Sequence, residues 1–228
     1  MTPALADQVK SLRNVVGKVT KYKTIIYDFD GTIADTLPVS LDIVNKHALE
    51  FGSDGISPDE LPRLRGVPIR FLMQEFGIHT TQLPKLISVV KKELSQRISD
   101  IQLFDGMEGL FWEVDNLGLE QGIITSNYVK NVTDLLTDEQ EGFFKFIRSE
   151  KAIFGKHHKI EKVIKELGYK KEEVLYVGDE VRDIEACEKV GIDVVSVTWG
   201  LNSKEILQKH RPTYLVDAPS GILDIISS

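Results

Sequence analysis

Strand-type and helix-type segments alternate along most of this chain, and that rhythm constrains the fold more than any other feature. Apolar, β-branched runs occupy residues 24–27, 122–125, 174–177 and 193–197, with a weaker one at 213–216. Such side chains suit a pleated, buried surface. Amphipathic stretches lie between the later runs, at 159–167 and 183–190. Strands that alternate with helices in this way predict an α/β fold, a Rossmann-like doubly wound parallel sheet with helices on both faces.

One interval breaks the rhythm. From about residue 35 to residue 105 the apolar spacing is helical only, at 37–51, 69–76 and 83–98. That is too long for an ordinary crossover. The economical reading is a small all-helical domain, 35–105, inserted into a core built from 23–34 and 106–228 and returning through Phe104-Asp105-Gly106. Because it leaves and rejoins the core beside Asp28 and Asp30, it is placed to act as a lid. Residues 1–22 read as a helical extension, with Leu5, Val9, Leu12 and Val16 at helical spacing.

Polar chemistry concentrates where the strand runs end. The segment 25–32 reads Ile-Ile-Tyr-Asp-Phe-Asp-Gly-Thr, so Asp28 and Asp30 close an apolar run and Gly31 lets the backbone turn sharply. Two carboxylates sharing a site repel, which calls for a metal, an acid/base pair, or both. A second run ends in Thr125, Ser126 and Asn127. Open α/β sheets bind ligands at the carboxyl ends of their strands, so Thr125 and the backbone N–H of Ser126 are expected to face the crevice of Asp28 and to suit a phosphate oxygen. The same Thr-Ser-Asn also fits a helix N-cap before 129–136.

Phe154-Gly155-Lys156 precedes another helical stretch, where a fixed ammonium suits a phosphoryl group or a crowded acid. Lys156 is favoured over Lys159, which falls a turn into the helix. The run 174–183 ends in Gly178-Asp179, and Asp183 follows from the first helical turn. Acidic residues at two strand ends accumulate negative charge, and a hard divalent cation with oxygen ligands resolves the conflict. Mg²⁺ suits a site of few carboxylates, substrate phosphate and water.

Composition narrows the class. A net charge of −7 offers no broad attraction for nucleic acid or an anionic membrane, so an anionic substrate needs a local positive site. The sequence lacks both an apolar run of about 18 residues and a signal peptide's apolar centre, so a cytoplasmic protein is expected. Its single cysteine, Cys187, excludes an internal disulfide and reads as a packed thiol in a helix. The five histidines show no zinc-type arrangement. No pattern specifies an oligomeric state.

In order, Asp-Phe-Asp-Gly-Thr at 28–32, a strand ending at Thr125, Lys156, and Gly-Asp-x-x-x-Asp at 178–183 resemble the four motifs of the haloacid dehalogenase superfamily. The helical insertion is similar to that group's cap of the first type. Arg182-Asp-Ile-Glu-Ala186 and Val197-Thr-Trp-Gly200 resemble its phosphoglycolate phosphatase-like branch.

The resemblance implies a phosphoric monoester hydrolase with Asp28 as nucleophile and Asp30 as general acid and then base. It further implies Mg²⁺ on Asp28, the backbone carbonyl of Asp30 and Asp179, with Asp183 just outside the ligand set. Thr125, Ser126 and Lys156 would hold the phosphoryl oxygens. An acid at Asp30 favours a phosphatase over a dehalogenase, because a departing halide needs no proton.

The substrate is expected to be a small phosphorylated metabolite. Arg63, Arg65 and Arg70 are candidates for its carboxylate or second phosphate, Arg65 foremost, and phosphoglycolate leads by analogy. Pyrophosphate, sugar phosphates, nucleotide monophosphates and phosphomutase-type transfer stay open. A non-catalytic phosphate-binding relative is less favoured, because Asp28, Asp30, Lys156 and Asp179 are all retained.

Overall fold

The computed structural model describes residues 20–65, 67, 74–149 and 155–228. Its strands are β1 (Thr24–Tyr27), β2 (Glu120–Thr125), β3 (Phe144–Ser149), β4 (Val174–Gly178), β5 (Asp193–Val197) and β6 (Tyr214–Val216). They form one six-stranded sheet in the order β3-β2-β1-β4-β5-β6. Every neighbouring pair is parallel. The doubly wound α/β sheet expected from the strand rhythm is the observed fold.

β3 is an addition to the expected strands. Its sequence, Phe-Lys-Phe-Ile-Arg-Ser, alternates buried and exposed residues at the edge of the sheet, and no continuous apolar run marks it. β2 meets it closely. A Cβ on Gly122 would lie 2.1 Å from the Phe146 ring, so the large residue on one strand requires the small one on the other.

The helices are α1 (Leu37–Lys46), α2 (Leu61–Leu64), α3 (Leu83–Gln96), α4 (Met107–Asn116) and α5 (Val129–Leu135). They continue with α6 (Asp138–Gly142), α7 (Lys156–Leu167), α8 (Val181–Val190), α9 (Lys204–Lys209) and α10 (Pro219–Ile226). β1 is buried along its whole length, so its side chains divide between two cores by the two-residue period of a strand. Ile25 and Tyr27 pack with Leu110, Phe111 and Val114 of α4 and with Ile222 and Ile226 of α10. Ile26 packs on the other face with Ile160, Val163 and Ile164 of α7 and with Ile184 and Cys187 of α8. Cys187 is a buried, free thiol.

Between 35 and 105 the described residues carry α1 to α3 and single turns of 3₁₀ helix. The stretch expected as one helix over 37–51 is α1 followed by a separate turn, Ala48–Phe51, which ends at left-handed Gly52. α1 packs against α3, and His47 links them by facing Glu93 at 2.5 Å and Glu50 at 2.9 Å. Where the segment leaves and rejoins the core, Asp35 N–H donates to Gln102 O at 2.9 Å and Phe104 N–H to Ile33 O at 3.0 Å. Most of the stretch expected as a helix at 69–76, and all four apolar positions of the N-terminal extension, lie outside the described residues. No helix among the described residues is long and apolar enough to cross a membrane.

The strand order fixes where chemistry can occur. The chain leaves central β1 to build β2 and β3 on one side, then crosses to β4, β5 and β6 on the other. The switch falls between β1 and β4, and open α/β sheets form their ligand crevice at the carboxyl ends of such strands.

Candidate active site

Asp28 follows the last residue of β1, and its N–H donates to Val177 O at 2.9 Å, which ties the loop to β4. Asp179 follows β4 directly, and Asp183 sits in the first turn of α8. Gly31 brings the first loop onto Asp179. Its φ is +76°, and a Cβ there would lie 2.3 Å from Asp179 Oδ2, so both conformation and space require glycine. Asp28, Asp179 and Asp183 are buried, and each presents an oxygen within 4.8 Å of the others.

Each carboxylate is anchored. Thr32 Oγ1 donates to Asp179 Oδ1 at 2.8 Å, and Leu201 N–H to Asp179 Oδ2 at 2.7 Å. Asp183 Oδ2 accepts from Glu180 N–H at 3.0 Å in a capping box that starts α8. Phe29 N–H donates to Asp28 Oδ1 at 2.7 Å. Lys156, the first residue of α7, donates from Nζ to Asp28 Oδ2 and to Asp183 Oδ1, both at 2.5 Å. Lys156 is buried and Lys159 half-buried, so it is Lys156 that reaches the acids.

The charge balance is uneven. Burial opposes the Lys156 ammonium, yet Asp183 and Asp28 hold its pKa well above the usual lysine range. Burial, then the charges of Glu180, Asp183 and Asp28, push the Asp179 carboxyl well above the carboxylate range. One ammonium faces three buried acids here. Converging carboxylate oxygens with an excess of negative charge are the donor set of a hard divalent cation, and Asp28, Asp179 and Asp183 could hold one.

Asp30 lies on the other side of the loop. Its Oδ1 accepts from Asn127 Nδ2 at 2.9 Å, and Thr125 Oγ1 lies 3.5 Å from its Oδ2. Burial, then the Asp28 charge, raise the Asp30 pKa above the ordinary carboxylate range. Two acids one residue apart therefore occupy different environments. Thr125 is fully buried at the end of β2, and its hydroxyl also accepts from Asn127 N–H at 2.9 Å.

Asn127 has a part that sequence reasoning missed. Tyr128 is the N-cap residue of α5 and makes no side-chain cap, so the Thr-Ser-Asn run does not cap that helix. Instead Asn127 Oδ1 accepts from Tyr128 N–H and from Asn131 Nδ2, both at 2.8 Å, which aims its Nδ2 at Asp30. The Asn127/Asn131 spacing is the signal that was available. Thr32 and the Leu201 N–H were missed as well, and no local pattern marks either.

Arg65 reaches the core from the helical segment. Its Nη2 donates to Thr198 O at 3.2 Å and to Gly200 O, and its Nε to Leu201 O at 3.4 Å. The guanidinium thus grips the loop whose Leu201 N–H holds Asp179. Arg63 pairs on the surface with Glu75 at 2.6 Å and Glu60 at 3.5 Å. Arg70 lies outside the described residues.

With this geometry in place, relationships to known proteins are specific. The sequence profile of the haloacid dehalogenase-like hydrolases matches residues 25–197. A phosphoglycolate phosphatase of Synechococcus elongatus is 32% identical over 206 residues, covering 90% of this chain and 97% of the relative. The pyrophosphatase PpaX of Oceanobacillus iheyensis is 22% identical and covers 90% of this chain and 96% of its own length. Among solved structures, a haloacid dehalogenase-like family hydrolase from Streptococcus pneumoniae shares the fold with a TM-score of 0.73 at 19% identity, over 90% of this chain and 98% of that one.

The chain belongs to the haloacid dehalogenase-like hydrolase family. Within that family it is a phosphatase, a phosphoric monoester hydrolase.

Proposed function

We propose that the protein is a Mg²⁺-dependent phosphatase that hydrolyses a small phosphate monoester through an aspartyl-phosphate on Asp28, with phosphoglycolate as its foremost substrate. The observation that carries this reading is the separation of the two loop acids. Asp28 is gripped by Lys156 among the converging carboxylates, whereas Asp30 faces Asn127 and Thr125.

Asp28 attacks phosphorus as its ionised carboxylate, forming an acyl phosphate and splitting hydrolysis into two easier displacements. The raised affinity of Asp30 for a proton suits it to protonate the departing alcohol. It then takes a proton from the water that cleaves the acyl phosphate, which releases phosphate and restores Asp28. Thr125, the Ser126 N–H and Lys156 hold the phosphoryl oxygens as charge develops on them.

A carboxylate oxygen of Asp28, the Asp30 carbonyl and Asp179 would hold Mg²⁺, with Asp183 supporting Lys156 just outside. When bound, the ion supplies charge neutralisation and orientation at the phosphoryl group. Residues 35–105 act as a cap that moves about the paired backbone at 33–35 and 102–104. The relative from Synechococcus supports phosphoglycolate as substrate. The lone cysteine suits the reducing cytoplasm.

The test is a Mg²⁺-supplemented panel of phosphoglycolate, pyrophosphate, sugar phosphates and nucleotide monophosphates, ranked by kcat/KM. Phosphoglycolate is expected to rank first. Metal-dependent hydrolysis led by pyrophosphate would shift the reading to a pyrophosphatase, and phosphate binding with no metal-dependent release would sink the enzyme. Asp28→Asn is expected to lower kcat by at least about a thousandfold while the circular dichroism spectrum stays that of a folded protein.

A further inference from the structure

Two cations that the proposed chemistry does not use border the crevice. Lys91 belongs to α3, in the helical segment, yet its Nζ reaches the core and donates to Ser126 O at 2.5 Å. Ser126 directly follows Thr125, whose hydroxyl lies 3.5 Å from Asp30. Arg182 comes from the first turn of α8, where its Nη2 and Nε hold Glu180 Oε1 at 2.5 and 2.8 Å. Its charge acts on Asp30 and on Lys91 alike.

Neither cation is exhausted by these contacts. Lys91 spends one donor of its ammonium on Ser126, and the Arg182 fork has donors beyond those that meet Glu180. Arg182 already pairs with Glu180, whereas the Lys91 ammonium meets a backbone carbonyl. Burial pushes the Lys91 ammonium below the usual lysine range; Asp30 pulls it back, and Arg182 adds to the fall. The position is specific. Asp30 must meet the ester oxygen in order to protonate it, so whatever that oxygen carries extends past Asp30 toward Lys91, whose ammonium meets the carbonyl of the residue after Thr125.

We propose that Lys91 and Arg182 form the specificity site for a carboxylate on the leaving group, within a few bonds of the ester oxygen, so that the substrate class is the phosphorylated hydroxy acids. This rests on the phosphatase reading above. It gives that role to Lys91 and Arg182 instead of Arg65, whose Nε and Nη2 together bind three backbone carbonyls of the 198–201 loop. One cation comes from the helical segment and the other from the core. A bound carboxylate would therefore bridge the two and favour their closed arrangement.

Paired phosphonates test the site without turnover. With Mg²⁺ present, calorimetry on the whole protein should show 3-phosphonopropionate binding at least tenfold tighter than propylphosphonate, which lacks the carboxylate. Lys91→Met should bring that ratio toward unity, and Lys91→Arg should retain most of it. The kcat/KM ratio of phosphoglycolate over ethyl phosphate should fall in parallel, chiefly through KM.

A wild-type protein with no carboxylate preference, or a preference untouched by Lys91→Met, would overturn the proposal. Turnover of ethyl phosphate without carboxylate preference sinks the specificity site alone. Carboxylate-selective binding that needs Lys91 but comes with no metal-dependent turnover sinks the phosphatase reading and leaves the site standing.

Discussion

Lys156 holds together charges that would otherwise make the crevice unstable. Its ammonium contacts Asp28 and Asp183, and all three side chains are almost fully buried. Removing one partner of a buried ion pair leaves an uncompensated charge, which costs far more than the pair contributes. Lys156→Met is expected to destabilise the fold by about 3–5 kcal/mol in EDTA, read by urea denaturation, with a smaller loss in Mg²⁺. Unchanged stability would mean that the acids are protonated or reached by water. The residue types at this site were legible in the sequence, since acids after β-type runs and a lysine before a helix are local patterns. Their division of labour was not, because Asn127 touches Asp30 across 97 positions and Thr32 touches Asp179 across 147.

Elements carry the next level of organisation, and α1 and α3 show how they are joined. His47 lies between Glu93 and Glu50, and its hydrogen bond to Glu93, then that to Glu50, raise its pKa above the ordinary histidine value. A histidine with a raised folded pKa contributes stability that is fully present below its unfolded pKa of about 6.5 and is lost as pH rises through the folded value. The Tm difference between wild type and His47→Gln should therefore be largest near about pH 6 and fade toward about pH 9. A difference independent of pH would remove the charge from the explanation.

The helices α1, α3, α5, α7 and α8, though not α2, α4, α6, α9 and α10, and five of the six strands were expected from period and turn signals. β3 was not, because an edge strand exposes alternate residues and its lysine and arginine hide the apolar set. α7 starts at Lys156, the loop–helix junction expected from the sequence, where left-handed Gly155, with φ +110°, sets the boundary.

Across the whole molecule, the strand order brings the acids that follow β1 and β4 into one cluster. A divalent ion that binds only the folded protein must stabilise all of it. At about a hundred times its Kd the expected gain is about 2.7 kcal/mol, visible as a rise in Tm with added Mg²⁺. Asp179→Asn should abolish most of that rise, and an equal rise in the variant would place the ion elsewhere.

The sequence by itself determined the fold class and the segments that carry chemistry, because both are written in short-range periodicity and in the residues that end each strand. Only the tertiary structure decided which acid each donor meets, where Arg65 is spent, and that Lys91 reaches the backbone beside Thr125. Those outcomes depend on the strand order that brings β1 beside β4 and on the path that returns the helical segment over the crevice. Contacts across more than a hundred positions leave no local trace, since any residue of the right type at either end would read the same.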